Sequence, residues 1–317
     1  MTCRNGIRDG DLIQCLNLDA ARMGEEIVGL ERALKAWRVM IRSRSFSCVV
    51  IEDEGPSPEI LCFGAAAFVS PVFVGEELAS PRPGLNSRVI AAMDCGRSPL
   101  LSDAEIRFGN TYGGLDQVVL HVGWLRTLAP EAFSQVYTLM AFNYLEQHSG
   151  YRLNRLVTEI TNPVQRALYE ATNCWRVVRD FHGLDRALLV CDRESAACAP
   201  ASVGSKLFQY TEPKLRLRDT DRQLLGAALD GLTDGELSRK LNLTLHAVKK
   251  RWVSLFDRIA EEFPGILRDV SEVTDEQKRG RQKRHHVLSY VRSHPEELRP
   301  IELGHRQPGL KASKQQA

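Results

Sequence analysis

The stretch 217–259, LRDTDRQLLGAALDGLTDGELSRKLNLTLHAVKKRWVSLFDRI, constrains this chain most, because its apolar spacing suits three short amphipathic helices separated by two tight breaks. The first spans Asp219–Leu229, with Leu224, Leu225 and Ala228 on one face. It closes at Asp230-Gly231, where glycine adopts the left-handed conformation at little cost. The second spans 234–241. Thr233 stands before it and Glu236 three residues on, the spacing of a capping box. After the turn at Asn242-Leu243, Thr244 caps a third helix to about Ile259, with Val248, Leu255 and Ile259 spaced for burial.

That third helix carries His246, Lys249, Lys250 and Arg251 in its first two turns, and no acid until Asp257. A donor-rich start of this kind suits a major groove, where phosphates flank the base edges. A helix, a short turn and a second helix present it in that way. A three-helix bundle with one solvated basic face is the plainer alternative. The segment resembles the LuxR/GerE helix-turn-helix family without a gap over about 45 residues. Leu217 and Asp221 hold the outer positions of its opening motif, and Gly231 ends the first helix. Glu236-Leu237-Ser238 stand for its Glu-Ile-Ala, with Leu241 at the matching leucine. Residues 244–251 stand for its Ser-x-x-Thr-Val-Lys-x-His, with Ala247 replacing a hydroxyl residue and Arg251 replacing the histidine. The resemblance implies a DNA-reading module that contacts the duplex through Thr244, Leu245, His246, Lys249, Lys250 and Arg251. A module this small makes few phosphate contacts alone, so specific binding is expected to require a homodimer reading two half-sites.

At 317 residues the chain is long enough for two domains. Its net charge of +2 divides unevenly: from Lys206 onward 22 Lys and Arg face 16 Asp and Glu, a balance of +6 that leaves −4 for the rest. One end meeting a polyanion would account for that split. All eight cysteines precede the helix-turn-helix pattern. None forms a Cys-x-x-Cys, and no histidine sits at metal-ligand spacing from a pair. They are expected to be reduced and mostly buried, with no metal and no disulfide. No apolar run reaches the roughly 18–20 residues that cross a membrane, and no secretory segment opens the chain, so a cytoplasmic protein is expected.

The N-terminal part reads as α/β. Residues through about Ser43 have helical spacing (Leu12, Ile13 and Leu16, then Ile27, Leu30, Leu34 and Trp37). FSCVVIE at 46–52 and EILCFGAAAFVS at 59–70 form a strand hairpin, and a helix follows through Val89, Ile90 and Met93. After the turn-rich stretch 99–114 come a strand at 115–122, a long helix from Pro130 to about 149, a strand at 153–160, a helix from Asn162-Pro163 and strands at 175–181 and 187–191. This order makes a mixed sheet backed by helices. It is similar to the acyl-CoA-dependent N-acetyltransferase (GNAT) superfamily, and Asn162-Pro163-Val164-Gln165-Arg166-Ala167-Leu168-Tyr169-Glu170 resembles its Asn-x-x-Ala-x-x-x-Tyr-Glu helix. The resemblance implies Tyr169 as general acid toward a leaving thiolate. The superfamily's glycine-rich pyrophosphate turn has no counterpart in 123–132, where Arg126 is followed by no glycine and Pro130 and Glu131 open the helix. Asp116, His121 and Glu159 are the other candidate acid–base residues weighed on the strands.

The fold class expected is therefore an α/β, GNAT-like domain at 1–195 and a small all-α helix-turn-helix domain at 206–265, joined by an Ala/Ser/Pro-rich linker at 196–205. A basic tail follows at 266–317, with one helix and a disordered end. The function expected is a LuxR-type transcription regulator, not an enzyme. It binds double-stranded DNA as a dimer, and its N-terminal domain takes a small-molecule or protein ligand. No cofactor is expected. The alternative is an active acyl-CoA-dependent N-acyltransferase that carries a DNA-binding domain, with Tyr169 as its acid. A partner-binding adaptor is the third reading.

Overall fold

The computed structural model describes residues 1–18, 29–267 and 276–303. Residues 304–317, expected to be disordered, lie outside that set, as does Ile27. The chain divides into two compact units, 1–212 and 213–317.

In the first unit the elements run β1 (Thr2–Asn5), α1 (Leu12–Asn17), α2 (Leu30–Ile41), β2 (Phe46–Glu52), β3 (Ile60–Val69), α3 (Pro71–Ala79), α4 (Leu85–Asp94) and α5 (Asp103–Phe108). They continue with β4 (Leu115–Trp124), α6 (Pro130–His148), β5 (Leu153–Ile160), α7 (Pro163–Glu170), β6 (Arg176–Phe181), β7 (Arg186–Asp192), α8 (Arg193–Ala197) and α9 (Val203–Leu207). The seven strands form one mixed sheet in the order β1-β2-β3-β4-β5-β7-β6. Only the central pair, β4 and β5, is parallel, and α6 makes the crossover that a parallel pair requires.

Several stretches differ from the sequence reading, three of them as follows. Residues 2–5 were expected to be helical but form an edge strand, Thr2 opposite Glu52 and Asn5 opposite Val49. Four residues carry no periodicity, so only the partner strand defines them. The turn-rich stretch 99–114 contains α5, whose Ser102 and Glu105 make a reciprocal capping box. The stretch 196–205, expected as a linker, holds the end of α8 and most of α9, and the buried Leu207 packs with Leu115, Leu153 and Leu156.

Two apolar layers sandwich the sheet. On one face Leu34, Trp37 and Met40, spaced for one side of α2, pack with Phe63, Val118 and Leu120, and Leu85, Val89 and Ile90 of α4 join them. On the other face Val136 and Met140 of α6 cover Val49, Leu61, Cys62, Val119 and Val122. Cys15, Cys48 and Cys62 are small core hydrophobes, and burial pushes their thiols up to about 12, 11 and 12.

Among its described residues the second unit has helices and no strand: α10 (Asp219–Leu229), α11 (Asp234–Lys240), α12 (Leu245–Glu262) and α13 (Glu276–Ser293). Thr233 and Glu236 cap α11 reciprocally, and Thr244 accepts from the Ala247 N–H at 3.1 Å to cap α12. Gly231 and Asn242, both left-handed, make the two turns. Val287 and Val291 of α13 share one core with Leu224, Leu237, Trp252 and Phe256. Arg284 pairs with Asp234 at 2.8 Å and lies 4.8 Å from the Trp252 ring. The helix expected in a separate basic tail is thus part of this bundle.

Candidate functional site

The parallel pair at the centre of the sheet does not stay paired. β4 and β5 pair from Leu115 opposite Leu153 to Val119 opposite Thr158, with one register shift after Leu115, and there the ladder stops. Beyond it β4 runs on to Trp124 against β3, while β5 continues against β7. The parting coincides with a β-bulge: Val119 faces Ala66 and His121 faces Ala65, so Leu120 is the extra residue. A bulge bends its strand and re-aims the residues beyond it. The peptide groups of β4 past Leu120 therefore edge a cleft.

Gln165, on α7 and 1% exposed, bridges this cleft. Its side-chain N–H donates to the Val122 carbonyl at 2.8 Å, and its oxygen accepts from the Thr161 N–H at 3.1 Å. In an extended strand the N–H and C=O of one residue turn to the same side, so the Val122 N–H also faces the gap. Asn162 caps α7 by accepting from the Gln165 N–H at 2.9 Å, which fixes where the helix begins.

Val122 walls two cavities. The first, about 360 Å3, lies between the sheet and helices α6 and α7. Gly64, Ala65 and Ala66 floor it, with Tyr137, Met140 and Tyr169 around it. The second, about 350 Å3, is bounded by Gly123, Trp124, Arg126, Asn162 and Gln165. Three of the polar groups bordering the first are engaged by neighbouring groups. Tyr144 Oη donates to Gln117, His148 Nδ1 faces the Tyr144 carbonyl at 2.7 Å, and Nε2 lies 2.7 Å from Ser47 Oγ. A carbonyl only accepts, so His148 carries its proton on Nδ1 toward that carbonyl. Burial raises the Tyr137 hydroxyl well above the usual tyrosine value, and neighbouring Tyr169 adds to the effect.

Of the titratable candidates read from the sequence, Tyr169 is the one that lines the larger cavity. Its ring meets Trp175 edge-on, with centroids 4.9 Å apart. Asp116 is buried beneath Arg155 and Asn154, which donate to it at 3.0 and 3.1 Å. Glu159 accepts from the Gly84 and Leu85 N–H groups at 2.7 and 2.6 Å, so it caps α4. His121 is fully buried, its ring 5.2 Å from that of Phe63. Gly123 makes room for it: a Cβ there would lie 2.7 Å from His121 Nε2. In the helical unit, Thr244, Leu245, His246, Lys249 and Lys250 are exposed at the start of α12, and Arg251 is half-buried. Sequence reasoning missed Val122, Gln165 and Gly64. The one signal for Gln165 was its place at the alanine of the Asn-x-x-Ala helix.

No protein-family model matches the chain, and no curated protein matches it by sequence. Several solved structures are similar to it. The N-acyl amino acid synthase FeeM, from uncultured soil microbes, is 11% identical; the match covers 62% of this chain and 93% of that one, with a TM-score of 0.35. NAA60 from Arabidopsis thaliana, solved with acetyl-CoA, is 14% identical over 61% of this chain and 99% of its own, with a TM-score of 0.36. A point mutant of the spermidine N-acetyltransferase SpeG from Vibrio cholerae is 11% identical over 61% and 95%, with a TM-score of 0.33. At these values the likeness is a loose correspondence of fold.

These similar structures are of acyl-transferring proteins or hold acetyl-CoA, and that finding corrects the expectation of a LuxR-type, DNA-binding, non-enzymatic regulator. The physical reason lies in the pattern itself. Three short capped helices around a shared leucine core are what any small helical bundle needs, and a basic first turn is compatible with a solvated face. Among the described residues, no helix is long and apolar enough to cross a membrane.

Proposed function

We propose that the first unit is an N-acyltransferase that takes an acyl group from a thioester of the acyl-CoA type and gives it to an amine. One observation carries this reading: the β4–β5 ladder ends at Val119 and Thr158, and the Val122 peptide group stands on the released edge where an apolar cavity meets an open cleft.

The donor would supply a thioester carbonyl beside Val122. The Val122 N–H, on the same side of the strand as the carbonyl that Gln165 holds, would donate to that oxygen as negative charge develops. Because Gln165 holds the Val122 carbonyl, on the peptide that follows the donating N–H, the backbone at Val122 is held before reaction and needs little reorganisation. Tyr169 would give its Oη proton to the departing thiolate, and the proton that the attacking amine sheds on becoming the amide would return to the tyrosinate. The apolar wall of Ala65, Ala66 and Met140 keeps water from the reacting carbon, which favours acylation of the amine over hydrolysis.

The nucleotide end of such a donor is served differently. Pro130 opens α6 without an N–H, Glu131 puts an anion in its first turn, and no glycine lies between Arg126 and Pro130. The start of α6 therefore does not fit a pyrophosphate cradle of backbone N–H groups, although Arg126 brings a cation to the cleft. Binding has to come mainly from the acyl end.

The experiment is thiol release from acyl-CoA donors in the presence of primary amines, read with a thiol-reactive dye, together with calorimetry of each donor. Release that needs both an amine and Tyr169 supports the reading. Neither binding nor release with donors from two to twelve carbons would sink it.

A further inference from the structure

We infer that the cavity floored by Gly64, Ala65 and Ala66 is an acyl-chain pocket, so that the donor carries a medium-length alkyl group rather than acetyl. This deepens the acyltransferase reading and rests on it.

Three observations lead there. The lining is almost wholly apolar, and the polar groups that border it at Ser47, Tyr144 and His148 are engaged: Ser47 with His148, His148 with the Tyr144 carbonyl, and the Tyr144 hydroxyl with Gln117. An occupant thus gains by shedding water, not by hydrogen bonding. The volume, about 360 Å3, is far more than a methyl group needs. At ~30 Å3 per water-sized group it accommodates a chain of about ten methylenes. Finally, the cavity shares the Val122 wall with the open cleft, so a chain seated in it brings its carbonyl to the released strand edge.

The sheet side is kept low by residues without bulk. A Cβ at Gly64 would meet Met140 Sδ at 3.3 Å, and the flexible methionine can yield only toward the cavity it lines. Gly64→Val should therefore shorten the pocket. Ala141→Leu adds bulk from α6, on the opposite side of the cavity.

The test uses the full chain and straight-chain fatty acids of four to fourteen carbons, below their micelle concentrations, followed by the fluorescence of Trp175 and the other tryptophans. Affinity should rise about 4-fold per methylene and level off near ten to twelve carbons. Gly64→Val or Ala141→Leu should move that plateau at least two carbons shorter. Thiol release from acyl-CoAs of the same lengths is measured in parallel. Affinity that does not depend on length, or a plateau unmoved in both variants, overturns the pocket, even if acetyl-CoA turns over. Length-dependent binding without thiol release from any donor keeps the pocket and overturns the transfer reaction.

Discussion

Gln165 and Val122 are joined across the gap between two parallel strands, the side-chain amide of one donating to the main-chain carbonyl of the other at 2.8 Å. With the Thr161 N–H on its oxygen, this one side chain replaces a rung that β4 and β5 no longer make. Gln165→Ala leaves a buried carbonyl without that donor, which should cost about 1–3 kcal/mol in denaturant unfolding. It should also lower thiol release beyond what reduced folding explains, since the Val122 peptide loses its anchor. Equal turnover per folded molecule would show that the bridge serves the fold alone.

Tyr169→Phe separates chemistry from packing. The ring keeps its edge-on contact with Trp175, so folding should change far less than turnover. Loss of a positioned proton donor should lower kcat roughly 100-fold or more, with donor affinity unchanged. A variant with full turnover would remove Tyr169 from the reaction and leave it as a wall of the cavity.

Local patterns in the sequence were a good guide to elements and a poor one to the site. Thr233, Glu236 and Thr244 announce their helices because a cap is a relation among neighbours. Strands β2 and β5 stand out as apolar runs with sharp ends. The cleft has no local signature. Nothing in LDQVVLHVGW says that β5 stops pairing after Val119, or that Leu120 is the residue left out of register with β3. The cavity assembles Gly64, Val122, Tyr137 and Tyr169 from four elements, and each looks like an ordinary core residue in its own segment. The dense signal in 217–259 outweighed this scattered one, and the functional reading went with it.

Two glycines should respond to the same substitution with opposite signs. A Cβ at Gly204 would fall 2.5 Å from the buried sulfur of Cys174, which is 3.1 Å from Thr172 Oγ1. Gly204→Ala should therefore destabilise by about 1–3 kcal/mol through overpacking. Gly226 lies inside α10 with nothing within 4 Å of an added Cβ. There the alanine should stabilise by about 0.5–1 kcal/mol, because a helix-interior glycine loses more backbone entropy on folding. Chemical denaturation of both variants checks the pair, and a stable Gly204→Ala protein would show that Cys174 can move.

The helical unit should carry a pH dependence of unusual sign at Glu297. Its carboxylate is buried, and although it accepts from the Lys214 and Leu215 N–H groups at 3.0 and 2.9 Å, burial is the largest influence and raises its pKa above the usual glutamate value. A raised pKa means that the folded state holds the proton more tightly than the unfolded chain. The associated stability is fully present below the unfolded pKa of about 4.3, and is lost as pH rises through the higher folded value. Glu236 works the other way: hydrogen bonds from Thr233 lower its pKa, so its contribution is present above the unfolded value and is lost as pH falls through the folded one. The two are separated by a difference measurement. Glu297→Gln removes one titration and leaves Glu236 in place. The stability of the parent chain relative to Glu297→Gln should therefore decline as pH rises from about 4 upward, and flatten once the carboxylate is ionised in both states. Urea midpoints of the two proteins across that range check it. A difference that grows with pH would mean that the two N–H donors outweigh burial at this site.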